Sequence, residues 1–202
     1  MQSAPAFPPT PSLIGARSLT IHSKEEVPAL GTSVVLARAA ATPAAYLASD
    51  PGQYSYIHFV AHGTASRLSP LDSAIVLSKN ASPTTEIPDS FKLYAREIIR
   101  HPLRADLVTI SACYGAGERA YSGEGLVGLS WAFLRAGAHN VVAALWEASD
   151  ASTRQLMDKF YDELDQGARP DTALRVAKLS LLRSQGFHNP FYWAPFQLYT
   201  GS

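Results

Sequence analysis

The chain has 202 residues, of which 47% are hydrophobic and 17% charged, and its 17 basic and 17 acidic side chains cancel to a formal net charge of zero. That length can bury roughly 70% of the unfolded chain's surface around a single core, and the balanced charge argues against a nucleic-acid or anionic-membrane surface, both of which select for a basic excess. One cysteine, Cys113, excludes an intrachain disulfide and a Cys-rich zinc site; no metal and no cofactor are expected.

Residues 1–18 carry Pro5, Pro8, Pro9 and Pro11 among small residues and lack the basic start and apolar run of a signal peptide. They are expected to be a tail or linker, with one domain over 19–202. The apolar stretches fall short of the ~18 residues of a membrane span, so a soluble, cytoplasmic protein without membrane contact is expected. There is no internal repeat.

Beyond the tail, short β-rich runs alternate with helical periodicities, the pattern of an α/β fold around a mostly parallel sheet. Expected strands are Ser33 to Leu36, Tyr54 to Val60, Ala74 to Leu77, Leu107 to Ala112 and Asn140 to Leu145. Trp193 to Tyr199 is expected at a sheet edge, because Pro195 cannot donate to a ladder. Thr42 and Pro43 predict a capped helix start with proline at its first position. A helix after Ser122 is apolar on two faces, through Leu126, Leu129 and Phe133 and through Val127, Trp131 and Leu134, and is expected to be buried on nearly all sides. Asp150 is placed to cap the next helix, whose stripe is Leu156, Met157, Phe160, Tyr161 and Leu164, and Asp171 to cap a last one ending near Gly186.

Parallel sheets host ligands at their strands' carboxyl ends, where loops lead toward helix N-termini. Two reactive residues stand at such ends. His62 follows the Tyr54 to Val60 run and precedes Gly63, and Cys113 follows Leu107 to Ala112. If those strands are neighbours, an imidazole and a thiol share one rim, where the thiolate attacks a carbonyl and the imidazole takes up and returns the proton. Backbone N–H groups at Gly63 and Cys113 would bind the developing oxyanion, and Gly63 lets a carbonyl approach closely. A free cysteine at a strand end is by itself more often inert packing. The local pattern adds weight: Ala112-Cys113-Tyr114-Gly115 lies 51 residues after a His-Gly step, similar to the caspase signature with its histidine about 50 residues upstream.

The chain resembles a CHAT domain, the caspase-like peptidase module often fused to tetratricopeptide repeats and related to separase. The resemblance runs from about residue 30 through Ala41-Thr42-Pro43, Tyr56-Ile57-His58-Phe59-Val60-Ala61-His62-Gly63, Ser73-Ala74-Ile75-Val76-Leu77 and Leu107-Val108-Thr109-Ile110-Ser111-Ala112-Cys113. It continues through Gly123-Glu124-Gly125-Leu126, Ala136-Gly137-Ala138 and Val141-Val142-Ala143-Ala144-Leu145-Trp146 to Tyr192-Trp193-Ala194-Pro195-Phe196. It implies a caspase-like α/β/α sandwich and a bacterial cysteine endopeptidase with a dyad of His62 and Cys113. Tyr114 departs from the smaller or acidic residue of many members. A similarity to the separase stretch Leu-Trp-x-x-x-Asp implies that Asp150 lines the pocket for the residue before the scissile bond, which would select Arg or Lys through a charge-assisted pair. Glu147 and Asp72 are weaker pocket candidates. The family further implies a protein or peptide substrate, control by a repeat or sensor region in the same or a partner chain, and targets in defence or programmed death.

Other residues favour plainer roles. His58, inside a strand, is expected to be a hydrogen-bonded core histidine, and Glu124 to sit in a first helical turn. His22, His101, His139 and His188 have no reactive partner in the sequence pattern. Arg119, in the loop 115–123, is a candidate self-cleavage point for an enzyme that prefers basic residues. Two alternatives stand beside the peptidase. One is a dinucleotide-binding domain, from the match of Gly115-Ala116-Gly117-Glu118-Arg119-Ala120 to G-x-G-x-x-A, although the helix starts too late and no acidic residue closes the next strand. The other is a silent interaction module, against which the retention of both His62 and Cys113 counts.

Overall fold

The computed structural model describes residues 17–22, 32–66, 69–79, 89–113, 124–146 and 148–201. Among the described residues, eight strands form one sheet: β1 (Arg17–His22), β2 (Thr32–Ala37), β3 (Tyr56–Thr64), β4 (Ala74–Val76), β5 (Lys92–Tyr94), β6 (Leu107–Cys113), β7 (Asn140–Ala144) and β8 (Phe196–Thr200). Their order is β2-β1-β3-β6-β7-β8, with β4 joined to β3 and β5 to β4. All contacts from β2 across to β7 are parallel, while β8, β4 and β5 pair antiparallel. The helices are α1 (Pro43–Ala48), α2 (Ala95–Ile98), α3 (Glu124–Ala136), α4 (Asp150–Asp165), α5 (Pro170–Leu182) and α6 (Pro190–Trp193).

Side chains of successive strand residues point to opposite faces, and the two cores follow that alternation. Ile57, Phe59 and Ala61 of β3, Val108 and Ile110 of β6, and Val141 and Ala143 of β7 pack with Tyr46 of α1, Ile98 of α2 and Leu129, Ala132 and Phe133 of α3. Phe59 is fully buried between Tyr46 and Phe133, with ring centroids 5.4 and 5.5 Å away. The opposite face sets Tyr56, Leu107, Val142 and Ala144 against Leu156, Met157 and Phe160 of α4 and Ala173, Leu174 and Ala177 of α5. Each Val, Leu, Ile, Phe or Met among them contributes roughly 1.5–3 kcal/mol by leaving water, and each alanine less, so both helical layers are held by the sheet between them. The fold is an α/β/α sandwich with a mostly parallel central sheet, as expected.

Several details differ from expectation. β3 begins at Tyr56 and continues to Thr64 rather than stopping at Val60. Where β1 ends its pairing at Val60, β4 takes over, matching His62 with Val76, Gly63 with Ile75 and Thr64 with Ala74. β1 and β5 are strands beyond those expected from the sequence, and β1 opens at Arg17. Trp193 belongs to α6, because Asn189 caps that helix through the Phe191 amide and Pro190 occupies its first position. The sheet edge therefore starts at Phe196, and the Pro195 carbonyl accepts a hydrogen bond from the Leu145 amide. α3 is not buried on all sides: Arg135 and Trp131 are exposed, the latter at 50%.

Helix starts follow local chemistry. The Thr42 hydroxyl accepts from the Ala45 amide at 3.1 Å, as the Thr42 and Pro43 pair predicts. α4 is capped by Ser149, not Asp150, with the Ser152 amide donating to Ser149 Oγ at 3.2 Å. In α5 the capping position is Arg169, Asp171 lies in the first turn, and the helix ends at Leu182.

Candidate functional site

The sheet settles whether the two reactive positions are neighbours. β3 and β6 pair in parallel from Tyr56 opposite Leu107 to His62 opposite Cys113, the last rung of that ladder. Fifty-one residues of chain are thereby closed onto one pair of Cα positions at the carboxyl ends of adjacent strands. His62 lies within β3 rather than beyond it and is half-buried, and Gly63 follows in the same strand, buried opposite Ile75.

β7 flanks β6 on the other side and is parallel to it, with Ile110 opposite Ala143. It ends at Ala144, and six residues later Asp150 opens α4. The carboxyl rim of the sheet thus presents His62, Cys113 and the start of α4 from three successive strands. Asp150 is exposed there, and because Ser149 does the capping its carboxylate is not consumed by the helix end. Asp72 is engaged elsewhere, in an ion pair with Arg96 on α2. Glu147, Tyr114 and the loop 115–123 with Arg119 lie outside the described residues. So do Ser122 and the dinucleotide-like stretch.

His58 is a core histidine as expected, 3% exposed, with Nε2 3.0 Å from Ser111 Oγ. His139 Nδ1 lies 3.3 Å from Asp106 Oδ1 at the opposite end of the sheet. Among the described residues, no three His, Cys, Asp or Glu side chains are grouped so that they could hold a metal ion, and no helix is long and apolar enough to cross a membrane.

Thr109, Ser111 and Tyr161 have a polar role that the strand motif and the helix stripe alone do not assign them. All three are buried, and the Tyr161 hydroxyl donates to Thr109 Oγ1 at 2.9 Å. A signal for Thr109 and Ser111 lies in Leu107-Val108-Thr109-Ile110-Ser111, where polar residues recur every second position of a central strand in which an apolar run is the rule.

The family model of the CHAT domain matches residues 16–201, the whole of this sheet and its helices. The chain belongs to the CHAT domain family. As a CHAT domain it is of a caspase-like family, which agrees with the sandwich and its parallel core. This CHAT domain is similar to tetratricopeptide repeat protein 28 of Mus musculus, 34% identical over 106 residues, and to tetratricopeptide repeat protein 28 of Homo sapiens, 29% identical over 106 residues. Each match covers 52% of this chain but 4% of the relative, so the chain spans a small part of the proteins it matches.

Proposed function

We propose that this CHAT domain is a cysteine endopeptidase in which His62 and Cys113 form the catalytic dyad. The observation that carries the reading is the terminal rung of the β3 and β6 ladder, where the two residues stand opposite each other at the carboxyl rim. In the reaction, the Cys113 thiol gives its proton to His62 and its sulfur bonds to the scissile carbonyl carbon. The carbonyl oxygen becomes an oxyanion, held by backbone N–H groups at Gly63 and Cys113. The imidazolium then protonates the amine as the carbon–nitrogen bond breaks, and water hydrolyses the thioester, releasing the acid and restoring the thiol.

The substrate preference assigned here is for Arg or Lys before the scissile bond, recognised by Asp150. Its exposure on the same rim, with the helix capped by its neighbour, supports this. The peptidase domain, expected over 19–202, is assigned from Arg17, where the first strand of the sheet opens, and the proline-rich stretch before it to a tail. A tetratricopeptide-type repeat region in the same or a partner chain is its proposed regulator, supported by the names of the relatives.

The test is covalent labelling with peptidyl probes that carry arginine, aspartate or leucine before the reactive group, read by intact mass. The arginine probe is expected to add once to the wild type and not to Cys113→Ala, and Asp150→Ala is expected to erase the preference for arginine. Equal labelling of Cys113→Ala would sink the dyad, an undiminished arginine preference in Asp150→Ala would sink the pocket, and no labelling by any probe would favour a silent interaction module.

A further inference from the structure

Between the sheet and α4, a layer otherwise filled by Leu156, Phe160 and Val142 contains a connected set of buried polar side chains. His58 Nε2 lies 3.0 Å from Ser111 Oγ, Tyr161 of α4 donates to Thr109 at 2.9 Å, and the Tyr161 ring packs on the His58 ring with centroids 5.4 Å apart. Burying an imidazole and three hydroxyls costs free energy that apolar side chains of the same volume would not. Such a group is tolerated when its hydrogen bonds specify one arrangement.

The position of the His58–Ser111 bond indicates which arrangement that is. His58 is opposite Thr109, Ser111 is opposite Val60, and the next rung of the same alternation is His62 opposite Cys113. The bond therefore crosses the ladder diagonally, tying β3 to β6 directly beneath the proposed dyad. Neighbouring apolar positions such as Ile57, Phe59, Val108 and Ile110 carry no directional bond, whereas a one-residue slip would set His58 opposite Val108 or Ile110 and carry Ser111 to the other face of the sheet. We infer that His58 and Ser111 are positioning residues, holding the β3 and β6 register at the rung where residues 62 and 113 exchange a proton. This rests on the dyad reading.

Because Cys113 is the sole cysteine, iodoacetamide alkylation followed by intact mass across pH 5–9 reads its thiolate without any substrate. Ser111→Ala and His58→Leu are each expected to raise the alkylation midpoint by about one pH unit, about a tenfold loss of thiolate near neutrality, and Ser111→Thr to restore it. Tyr161→Phe removes a comparably buried hydrogen bond farther from the rung. It is expected to lower thermal stability while keeping the wild-type profile. The inference is overturned by a wild-type profile in whichever of Ser111→Ala and His58→Leu folds, or by an equal shift in Tyr161→Phe. His62→Ala separates the two levels: an unchanged midpoint there overturns the dyad and the inference with it, whereas a shift in His62→Ala alone overturns only the positioning role.

Discussion

The Leu103 amide donates to the Ala136 carbonyl across 2.7 Å, fastening the approach to β6 onto the last residue of α3. Gly137 makes this closure possible. It has φ of +115°, its amide donates to the Leu134 carbonyl and that of Ala138 to the Phe133 carbonyl, the paired bonds of a glycine-terminated helix. A Cβ at this position would collide with the Leu103 carbonyl oxygen.

Gly137→Ala is therefore expected to destabilise by about 2–4 kcal/mol, combining the left-handed penalty with the backbone clash. Gly167 ends α4 with φ of +85° but has nothing within 4 Å of its missing Cβ. Gly167→Ala is expected to cost only about 1–2 kcal/mol. Urea unfolding compares the pair, and equal losses would contradict the role given to Leu103.

The start of α4 separates stability from proposed recognition. Ser149→Ala removes the cap accepted from Ser152 and is expected to cost about 1 kcal/mol in thermal or urea unfolding. Asp150→Ala should change stability less than Ser149→Ala while altering probe preference. A larger stability loss at Asp150 would return that residue to a capping role.

Tyr46 is fully buried, and its hydroxyl has no hydrogen-bond partner among the described residues. Tyr46→Phe is expected to leave stability unchanged or raise it by up to about 1 kcal/mol, since an unsatisfied buried hydroxyl is itself a cost. Phe59→Ala, which removes the ring tilted against it, is expected to lose about 3–5 kcal/mol. A fall in melting temperature for Tyr46→Phe would show that the hydroxyl is satisfied.

Alkaline pH should unfold the domain through its buried phenols. Burial holds Tyr46 and Tyr161 well above the ordinary tyrosine range, and burial together with the charge of Asp106 pushes Tyr56 up to about 12. A raised folded-state value means the stabilising contribution is complete below the ordinary tyrosine value of 10.0 and is lost as pH climbs beyond it, because the unfolded chain ionises first. Circular dichroism should record unfolding in that range, with these three of the nine tyrosines ionising only in step with it by absorbance near 295 nm. Their ionisation near pH 10 in an intact fold would contradict the burial argument.

Local chemistry made much of this domain legible from sequence. The Thr42 cap with Pro43, the stripe of α4 and the apolar centres of β3, β6 and β7 need only a few neighbouring residues to be recognised. The resemblance to the CHAT domain rested on motifs spread along the chain. Short elements were less legible: Arg17–His22 mixes polar and apolar residues, Lys92–Tyr94 has three residues, and both become strands by pairing with β3 and β4. At α4, serine and aspartate are both good caps, and the choice of Ser149 was made by the extended backbone at that residue. The placement of His62 opposite Cys113 belongs wholly to the tertiary structure, because strand order and register are set by long-range pairing and by which face each core closes on. The sequence by itself determined that a histidine and the single thiol stand near the ends of two buried strands. Only the fold decided that those strands adjoin, that the residues share a rung, and that His58 and Ser111 tie the strands together beneath it.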